Sequence, residues 1–428
     1  MMDSCSIISS SFYPHNKHLG INKLYTKAPP MRPWYKWYIL ALSALTHMLV
    51  VAIPAMSLPV LFDEIAGDLS LDIVQIGVIW GLGSLTGIAM SLLGGIIGDC
   101  IGAKRTLILA CVLTGGAGAL RGFATSYPML AVMVVIAGFF PFMIPTNVHK
   151  TCGVWFTGKH LGLANAVVSA GMASGFMLGS LLGASVFSPL LGGWRNVLFV
   201  YGGVALLVAL IWSTTADGPE GRTRPAVKPV HRPLRESLGH VAGVRNVWLL
   251  GLAMLGVGSC IQGGLGYLPL YLRGLGWEAV TADSALATFH GASLLFTIPI
   301  ALLSDRLGSR RRVLIVATVM IATGFGLLSV ADGVLVWGAV ILAGVVRDGF
   351  MAILMTFIIE IKEIGTTYAG TAVGMIMSIS QIGSVLSPPA GNSLSVYSPG
   401  LPYLFWAGLA LLGLVGFALV REGDKGRG

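Results

Sequence analysis

The feature that most constrains this chain is a succession of long apolar runs. From Trp34 onward, runs of about 20 apolar residues follow one another with short breaks, which is the length of α-helix that crosses a hydrocarbon core of roughly 30 Å. Because 55% of the residues are hydrophobic and 11% are charged, the chain has too little polar surface for a water-soluble globule. The pattern predicts an all-α membrane protein with twelve transmembrane helices.

The breaks between these runs divide the chain into two sets of six spans. The longest internal break, residues 214–245, is basic and contains four prolines, so we expect a cytoplasmic linker between an N-terminal bundle in 34–213 and a C-terminal bundle in 246–420. We expect residues 1–33 to form a disordered cytoplasmic tail and 421–428 a second cytoplasmic tail. The spans, numbered 1 to 12, are predicted at residues 37–62, 73–97, 106–124, 128–149, 160–186, 194–213, 246–271, 282–304, 312–331, 334–359, 367–394 and 401–420.

The positions of the lysines and arginines predict the orientation. If both termini are cytoplasmic, 23 of the 27 cations lie in cytoplasmic segments. Such a bias follows the positive-inside rule and predicts cytoplasmic termini. The net charge of +9 does not indicate a nucleic-acid partner, because the cations lie between apolar runs rather than in one basic domain.

One charged, glycine-rich turn occurs twice in the sequence. Residues 95–105 read GIIGDCIGAKR between spans 2 and 3, and residues 301–311 read ALLSDRLGSRR between spans 8 and 9, at an offset of 206 residues. A second repeat, offset by 208 residues, matches glycines of span 5 to glycines of span 11: Gly162, Gly175 and Gly183 to Gly370, Gly383 and Gly391. The chain therefore reads as two parallel six-span halves, an architecture found in transporters whose site lies near the middle of the membrane.

The repeated turns resemble the cytoplasmic loop signature of the major facilitator superfamily, G-x-x-x-D-R-x-G-x-R/K-R/K, although Cys100 and Ala301 depart from it. The resemblance extends from Trp34 to Arg421 and implies a transporter that works by alternating access, as a monomer in the lipid bilayer. It also implies that the acids and cations of the two turns form a cytoplasmic gate. These gate residues are Asp99, Lys104, Arg105, Asp305, Arg306, Arg310 and Arg311.

Two ionisable residues lie in the middle of span 10, Arg347 and Asp348. Ionisable residues in hydrocarbon are costly and are candidates for function, and an arginine can hold an anion with two parallel hydrogen bonds. In the superfamily that the turns resemble, spans 1, 4, 7 and 10 line the central cavity, which makes Arg347 the predicted substrate-binding cation. Since adjacent helical residues point about 100° apart, we expect Asp348 to pair with a neighbouring span or to take part in proton coupling. The alternative is an ion pair with a purely structural role.

Four further polar residues in the spans complete the predicted site. His47 in span 1 and His290 in span 8 are titratable candidates, because histidine changes charge near neutral pH and so suits a proton-coupled transporter, although either could be a permanently neutral, hydrogen-bonded histidine. Gln262 and Tyr267 in span 7 accompany Gly263 and Gly264, and they could supply hydrogen bonds from a locally loosened helix or simply pack against another helix. The predicted substrate-binding residues are Arg347, Gln262, Tyr267 and His47, and the predicted proton-coupling residues are Asp348 and His290.

Residues 162–171 and 193–195 are similar to the anion-porter branches of the superfamily, such as monocarboxylate- and cyanate-type permeases. We therefore expect proton-coupled uptake of a small carboxylate-like or inorganic anion across a prokaryotic inner or plasma membrane. Two alternatives stay open: an exporter of drugs or amphipathic metabolites, and a transport-like ligand sensor. The sequence has no nucleotide loop of the G-x-x-x-x-G-K type, no metal-ligand cluster and no recognisable nucleophile arrangement, so it predicts neither an enzyme nor a bound cofactor or metal.

Overall fold

The computed structural model describes residues 34–156, 159–216 and 234–420, and within these ranges the chain consists of helices joined by short turns. In this part of the chain, eleven helical stretches are long and apolar enough to cross a membrane. The remaining predicted span, span 9, is the helix Arg310–Leu327, which begins with three consecutive arginines. The predicted all-α fold is confirmed. Both predicted tails and most of the linker lie outside the described residues, while the end of the linker forms the helix Leu234–Gly243.

Eight spans each contain one α-helix without interruption. These are spans 3 and 6, at Ala103–Leu120 and Trp194–Ser213, and all six spans of the second half, at Arg245–Gly274, Ala279–Leu307, Arg310–Leu327, Val334–Glu360, Gly365–Ser393 and Leu401–Leu419.

The other four spans, 1, 2, 4 and 5, are interrupted, and all belong to the first half. Span 1 contains the π-helical segment His47–Ala52, a geometry that is frequent at functional sites. In span 4, residues 139–142 separate two helices, and Pro141 in this break lacks the backbone N–H that a continuous helix needs. The interrupted spans consist of Tyr35–Thr46, His47–Ala52 and Ile53–Leu69; Ile73–Leu85 and Gly87–Ile101; Tyr127–Gly138 and Met143–Trp155; and Lys159–Leu182, Gly183–Phe187 and Ser188–Leu191.

Span 1 is longer than its apolar run predicts, because two of the acids that follow that run, Glu64 and Asp68, find partners within the first half. We call the side of the bundle that holds Tyr35 and Leu419 the terminal side, and the opposite side the far side. At the far side, the Ser188 hydroxyl donates a 2.6 Å hydrogen bond to Glu64. Asp68 accepts a 3.0 Å hydrogen bond from the Trp194 indole, so the charged end of the helix is stabilised by tertiary contacts.

Span 8 shows how a span can bury one face in the protein and leave an apolar face for lipid. On span 8, Leu295, Ile298 and Leu302 are exposed, at intervals of three and four residues, whereas Ser293 on another face is fully buried. This periodic apolar stripe provides the lipid-facing surface of the span.

The two halves meet mainly along two pairs of helices, spans 2 and 11 and spans 5 and 8, and spans 1 and 7 also touch. Span 2 comes so close to span 11 that a Cβ atom added to Gly81 would lie 2.3 Å from the carbonyl oxygen of Val385. Hydrogen bonds between the halves extend from the far side to mid-membrane: Asn392 Nδ2 to the Ile73 carbonyl at 2.8 Å, Trp80 Nε1 to the Gln262 carbonyl at 2.7 Å and Ser378 Oγ to the Ile88 carbonyl at 2.8 Å. The halves are therefore closed against each other on the far side.

Candidate functional site

The candidate site is built around Arg347, at the midpoint of the helix Val334–Glu360. Its guanidinium carbon lies 5.2 Å from the ring centroid of Phe176, on span 5 of the other half. A cation over an aromatic face is attracted by the ring quadrupole, which orients the guanidinium at the junction of the two halves. The Arg347 side chain keeps 20% exposure, so it is not fully enclosed by protein.

Asp348 pairs with Arg347, which corrects the expectation that the two side chains would point apart. The Arg347 Nη1 donates to Asp348 Oδ1, because the long arginine side chain can fold back over its neighbour. The backbone N–H of Asp348 donates a 3.1 Å hydrogen bond to the hydroxyl of Ser293, a buried residue of span 8. The described bridge uses one of the five N–H donors of the guanidinium, and the pair has no net charge when both groups are ionised.

His290 lies beside this ion pair on span 8. It is buried, its ring centroid is 5.3 Å from that of Phe176, and its Nε2 has no hydrogen-bond partner among the described residues. We call the group formed by Arg347, Asp348, His290, Phe176 and Ser293 the central cluster. The sequence predicted its three ionisable members. It missed Phe176 and Ser293, since a phenylalanine or a serine in an apolar span carries no distinguishing signal.

The structure gives Gln262 and Tyr267 other contacts. The Gln262 backbone carbonyl accepts the Trp80 indole hydrogen bond that joins the halves. Tyr267 packs with Tyr271 and Trp406, and its hydroxyl donates a 3.1 Å hydrogen bond to the Pro399 carbonyl on the far side. The expected local loosening of span 7 is wrong, because Arg245–Gly274 is one continuous helix.

His47 lies within the first half, at the first residue of the π-helical segment. It is buried, and its ring centroid is 6.2 Å from that of His149 on span 4. The Nδ1 of His149 donates a 3.0 Å hydrogen bond to Oδ1 of Asn165 on span 5. The described ring contact of His47 is therefore to a second histidine, which the sequence-based prediction did not include.

The gate residues lie on the terminal side, and their described contacts tie each turn to its own half. The Lys104 ammonium donates to the carbonyl of Thr215 at the end of span 6. Arg310 Nε donates to both carboxylate oxygens of Glu360 at 2.9 Å, and Arg311 Nε donates to the Phe417 carbonyl at 2.8 Å. Arg105 and Arg306 are exposed, and the side chains of Asp99 and Asp305 lie outside the described residues. The gate stays a prediction.

On the far side, a second arginine connects the halves. Arg273 Nη2 donates a 2.7 Å hydrogen bond to Asp283, a completely buried carboxylate of its own half. Its Nη1 reaches span 1 of the other half, where it donates to the Val60 carbonyl at 3.1 Å and lies 3.7 Å from Asp63. Sequence reasoning counted Arg273 only for topology. Asp283, an acid inside a predicted span, was the signal that could have identified this contact.

A comparison with known protein families decides what this architecture is. The sequence pattern described as Major Facilitator Superfamily matches residues 40–388 and 284–427. The chain belongs to the major facilitator superfamily. It is therefore a multi-pass membrane transporter, and the twelve-helix architecture is that of the superfamily.

Relatives of this transporter include proteins named for anionic substrates. It is 28% identical over 416 residues to the probable nitrate/nitrite antiporter NarK1 of Thermus thermophilus, and the match covers 89% of each chain. It is 24% identical over 375 residues to the 3-(3-hydroxy-phenyl)propionate transporter of Escherichia coli, covering 84% of this chain and 88% of the relative. It is 24% identical over 378 residues to the probable sulfoacetate transporter SauU of Cupriavidus necator, covering 81% and 84%.

Solved structures share the fold at lower identity. A bacterial homolog of the human lysosomal transporter Spinster, in an inward-facing conformation, matches with a TM-score of 0.71 at 18% identity, covering 90% of this chain and 95% of that chain. A mutant of the nucleoside transporter NupG matches with a TM-score of 0.75 at 15% identity, covering 90% and 100%.

Proposed function

We propose that this transporter carries a small organic or inorganic anion across the membrane together with protons, with Arg347 as the anion-binding cation. The observation that carries the proposal is the position of Arg347: mid-membrane, partly exposed and in contact with both halves. The guanidinium is always charged and presents its donors in a planar fork that matches a carboxylate, nitrate or sulfonate. The relatives named for nitrate/nitrite, sulfoacetate and hydroxyphenylpropionate support this substrate class.

Asp348 supplies the physical reason for proton coupling. In the described ion pair, Asp348 balances the charge of Arg347. When an anion binds Arg347, two negative groups share one cation, and like charges at close range favour protonation of one of them. Proton uptake by Asp348 restores the balance and frees Arg347 for the substrate. His290, adjacent in the central cluster, is the second proton-coupling position in this proposal.

In this proposal, alternating access depends on contacts between the halves that exist in one conformation of the transporter and break in the other. The far side is closed by Arg273, which binds Asp283 in one half and Val60 in the other. We propose that the far side opens when these cross-half contacts break, and that the charged turns around Asp99 and Asp305 then close the terminal side. By the positive-inside rule, the terminal side is cytoplasmic, and we place the transporter as a monomer in a prokaryotic inner membrane.

Uptake into proteoliposomes tests the proposal. The wild-type protein is first assayed with nitrate, sulfoacetate and 3-(3-hydroxyphenyl)propionate, each with and without an acid external medium. The anion that accumulates is then used to assay the variants. Removing one partner of a buried, hydrogen-bonded charge pair costs about 2–5 kcal/mol, so Arg347→Ala is expected to lower kcat/KM at least about 30-fold. Arg312→Ala, which removes an exposed arginine at the start of span 9, is the matched control.

Asp348→Asn tests the coupling separately. The amide cannot take up a proton, so this variant is expected to exchange labelled anion across the membrane but to lose stimulation by external acid. Anion uptake by Arg347→Ala at the wild-type rate would remove the basis for the substrate site. Undiminished stimulation by acid in Asp348→Asn would reject Asp348 as the proton acceptor.

A further inference from the structure

A second group of titratable side chains lies in the first half and is not explained by anion binding at Arg347. His47 is 2% exposed, and neither of its ring nitrogens makes a hydrogen bond of good geometry with a described residue, although the backbone of Val168 lies close enough to interact with the ring. A buried polar group without a partner costs free energy, and such an exception calls for an explanation. His47 also begins the π-helical segment His47–Ala52, so a locally irregular backbone coincides with the unpaired imidazole.

The neighbouring His149 is oriented so that it can take up a proton. The two rings are nearly perpendicular, at 85°, with centroids 6.2 Å apart. The amide oxygen of Asn165 can only accept a hydrogen bond, so the Nδ1 of His149 carries the hydrogen of the 3.0 Å bond between them. In the neutral ring, Nε2 is then the nitrogen with a free lone pair. His149 is half-buried, which gives protons a route to it that His47 lacks.

The ionisable side chains that surround this pair lie on the helices packed against the π-helical segment. Spans 3, 4, 5 and 6 pack against the π-helical segment. Of their ionisable side chains in the described part of the protein, His149 is the one whose ring contacts His47. Tyr201 and Arg195 are bonded to Ser57 and Asp68. Lys150 is adjacent to His149 on the same helix, so its side chain points about 100° away, and Cys111 and Cys152 are buried thiols. The remaining ionisable residues lie at or near helix ends: Lys104, Arg105, Arg121, Tyr127, Lys159 and His160.

The acids of span 1 begin at Asp63, 16 residues or about four helical turns beyond His47. Spans 3 to 6 carry no carboxylate among their described residues, so positive charge on both rings at once is disfavoured. Span 2, which packs on the second helix of span 4, carries Asp99, whose side chain lies outside the described residues.

A continuous set of contacts links this pair to the central cluster. The π-helical segment packs directly on span 5, where a Cβ atom added to Gly175 would lie 2.6 Å from Ala52 Cβ and 3.0 Å from the Met48 carbonyl. The next residue, Phe176, contacts both Arg347 and His290 across the boundary between the halves. A shift of span 1 relative to span 5 would therefore displace the aromatic ring that orients Arg347.

We propose that His149 and His47 form a second proton-binding site, in the first half, whose occupancy biases the movement of the two halves through span 5. The inference rests on the proposed function, because it adds a proton site to a proton-coupled transporter. It reassigns His47 from substrate binding to proton binding, and it adds His149 and, as the residue that orients its ring, Asn165.

Hydrogen–deuterium exchange at the C2 position of each histidine, read by mass spectrometry, tests the site without any substrate. The full-length protein in lipid nanodiscs is measured across pH 5–9, as wild type and as His47→Gln. Loss of a coupled neighbour is expected to move the exchange profile of His149 by about one pH unit, a tenfold change in proton affinity. The exposed His160 and His240 are internal controls whose profiles stay in place. An unchanged His149 profile would overturn the pairing.

Transport by His149→Gln tests the role of the site. Counterflow of labelled nitrate, sulfoacetate or 3-(3-hydroxyphenyl)propionate requires no net proton movement, whereas accumulation driven by external acid does. We expect the ratio of acid-driven uptake to counterflow to collapse in His149→Gln, and Asn165→Ala to lower it in the same direction. A wild-type ratio would overturn the inference and leave the anion site at Arg347 intact. If wild-type protein carries none of these anions, the proposed function fails, and the exchange profiles still decide whether the two histidines share a proton.

Discussion

The far-side contact of Arg273 gives the sharpest prediction about the conformational equilibrium. Arg273→Lys keeps a positive charge beside the buried Asp283, so that carboxylate is not left unpaired, but the ammonium lacks the fork with which arginine also reaches the Val60 carbonyl 3.1 Å away. A hydrogen bond from a charged donor contributes about 1.5–3 kcal/mol. Since about 1.4 kcal/mol is a factor of ten, we expect the far-open population to rise roughly 10- to 100-fold.

Distances between spin labels measure this population directly. Leu190→Cys and Tyr397→Cys place labels on exposed far-side positions of the two halves, 76% and 82% exposed, in a background in which Cys5 and Cys100 are replaced by serine. The buried thiols of Cys111, Cys152 and Cys260 stay in place.

Asp63→Asn is the matched control for the Arg273 substitution. It removes only a 64%-exposed partner at 3.7 Å, so it should shift the equilibrium by less than about 1 kcal/mol. Identical distance distributions in wild type and Arg273→Lys, or an equally large shift in Asp63→Asn, would refute the assignment of Arg273 as the residue that holds the far side closed.

Two further substitutions test packing and the site. Gly81→Ala places a Cβ 2.3 Å from the Val385 carbonyl oxygen, so thermal unfolding should show that the protein loses about 1–3 kcal/mol of stability. The control Gly83→Ala, whose Cβ would have nothing within 4 Å, should be neutral or stabilising. Equal melting temperatures for the two variants would contradict the close approach of spans 2 and 11. Phe176→Leu removes a cation–π contact worth about 0.5–2 kcal/mol, so the KM for the transported anion should rise about 3- to 30-fold, while Phe187→Leu on the same span should not change it.

The architecture could be predicted from sequence because it depends on features that persist along the chain. Apolar runs long enough to cross a bilayer and a turn repeated at Asp99 and Asp305 define two six-span halves, and the structure has this all-helical fold. Helix ends were less predictable. Span 1 continues past its apolar run because Glu64 and Asp68 bond to residues more than 100 positions away, and no local pattern shows such partners.

The central cluster shows where sequence reasoning stops. Arg347, Asp348 and His290 were selected as candidates because a charge or an imidazole inside an apolar run is conspicuous. Their arrangement was not predicted: the long side chain of Arg347 folds back onto Asp348, although the backbone directs the two residues apart. The contact between His47 and His149 was missed as well, because it depends on how spans 1 and 4 pack. The helix break at residues 139–142 of span 4 lies within a continuous apolar run, so hydropathy alone did not show it.

The central claim is that Arg347 binds the transported anion, and equilibrium binding tests it most directly. Wild type, Arg347→Ala and the control Arg312→Ala are each titrated in detergent with the labelled anion that the wild type accumulates. Our account predicts that Arg347→Ala loses at least about 30-fold in affinity, from a cost of about 2–5 kcal/mol for an unpaired charge, while Arg312→Ala binds as wild type does. Binding by Arg347→Ala within about twofold of wild type, less than 0.5 kcal/mol, would contradict it.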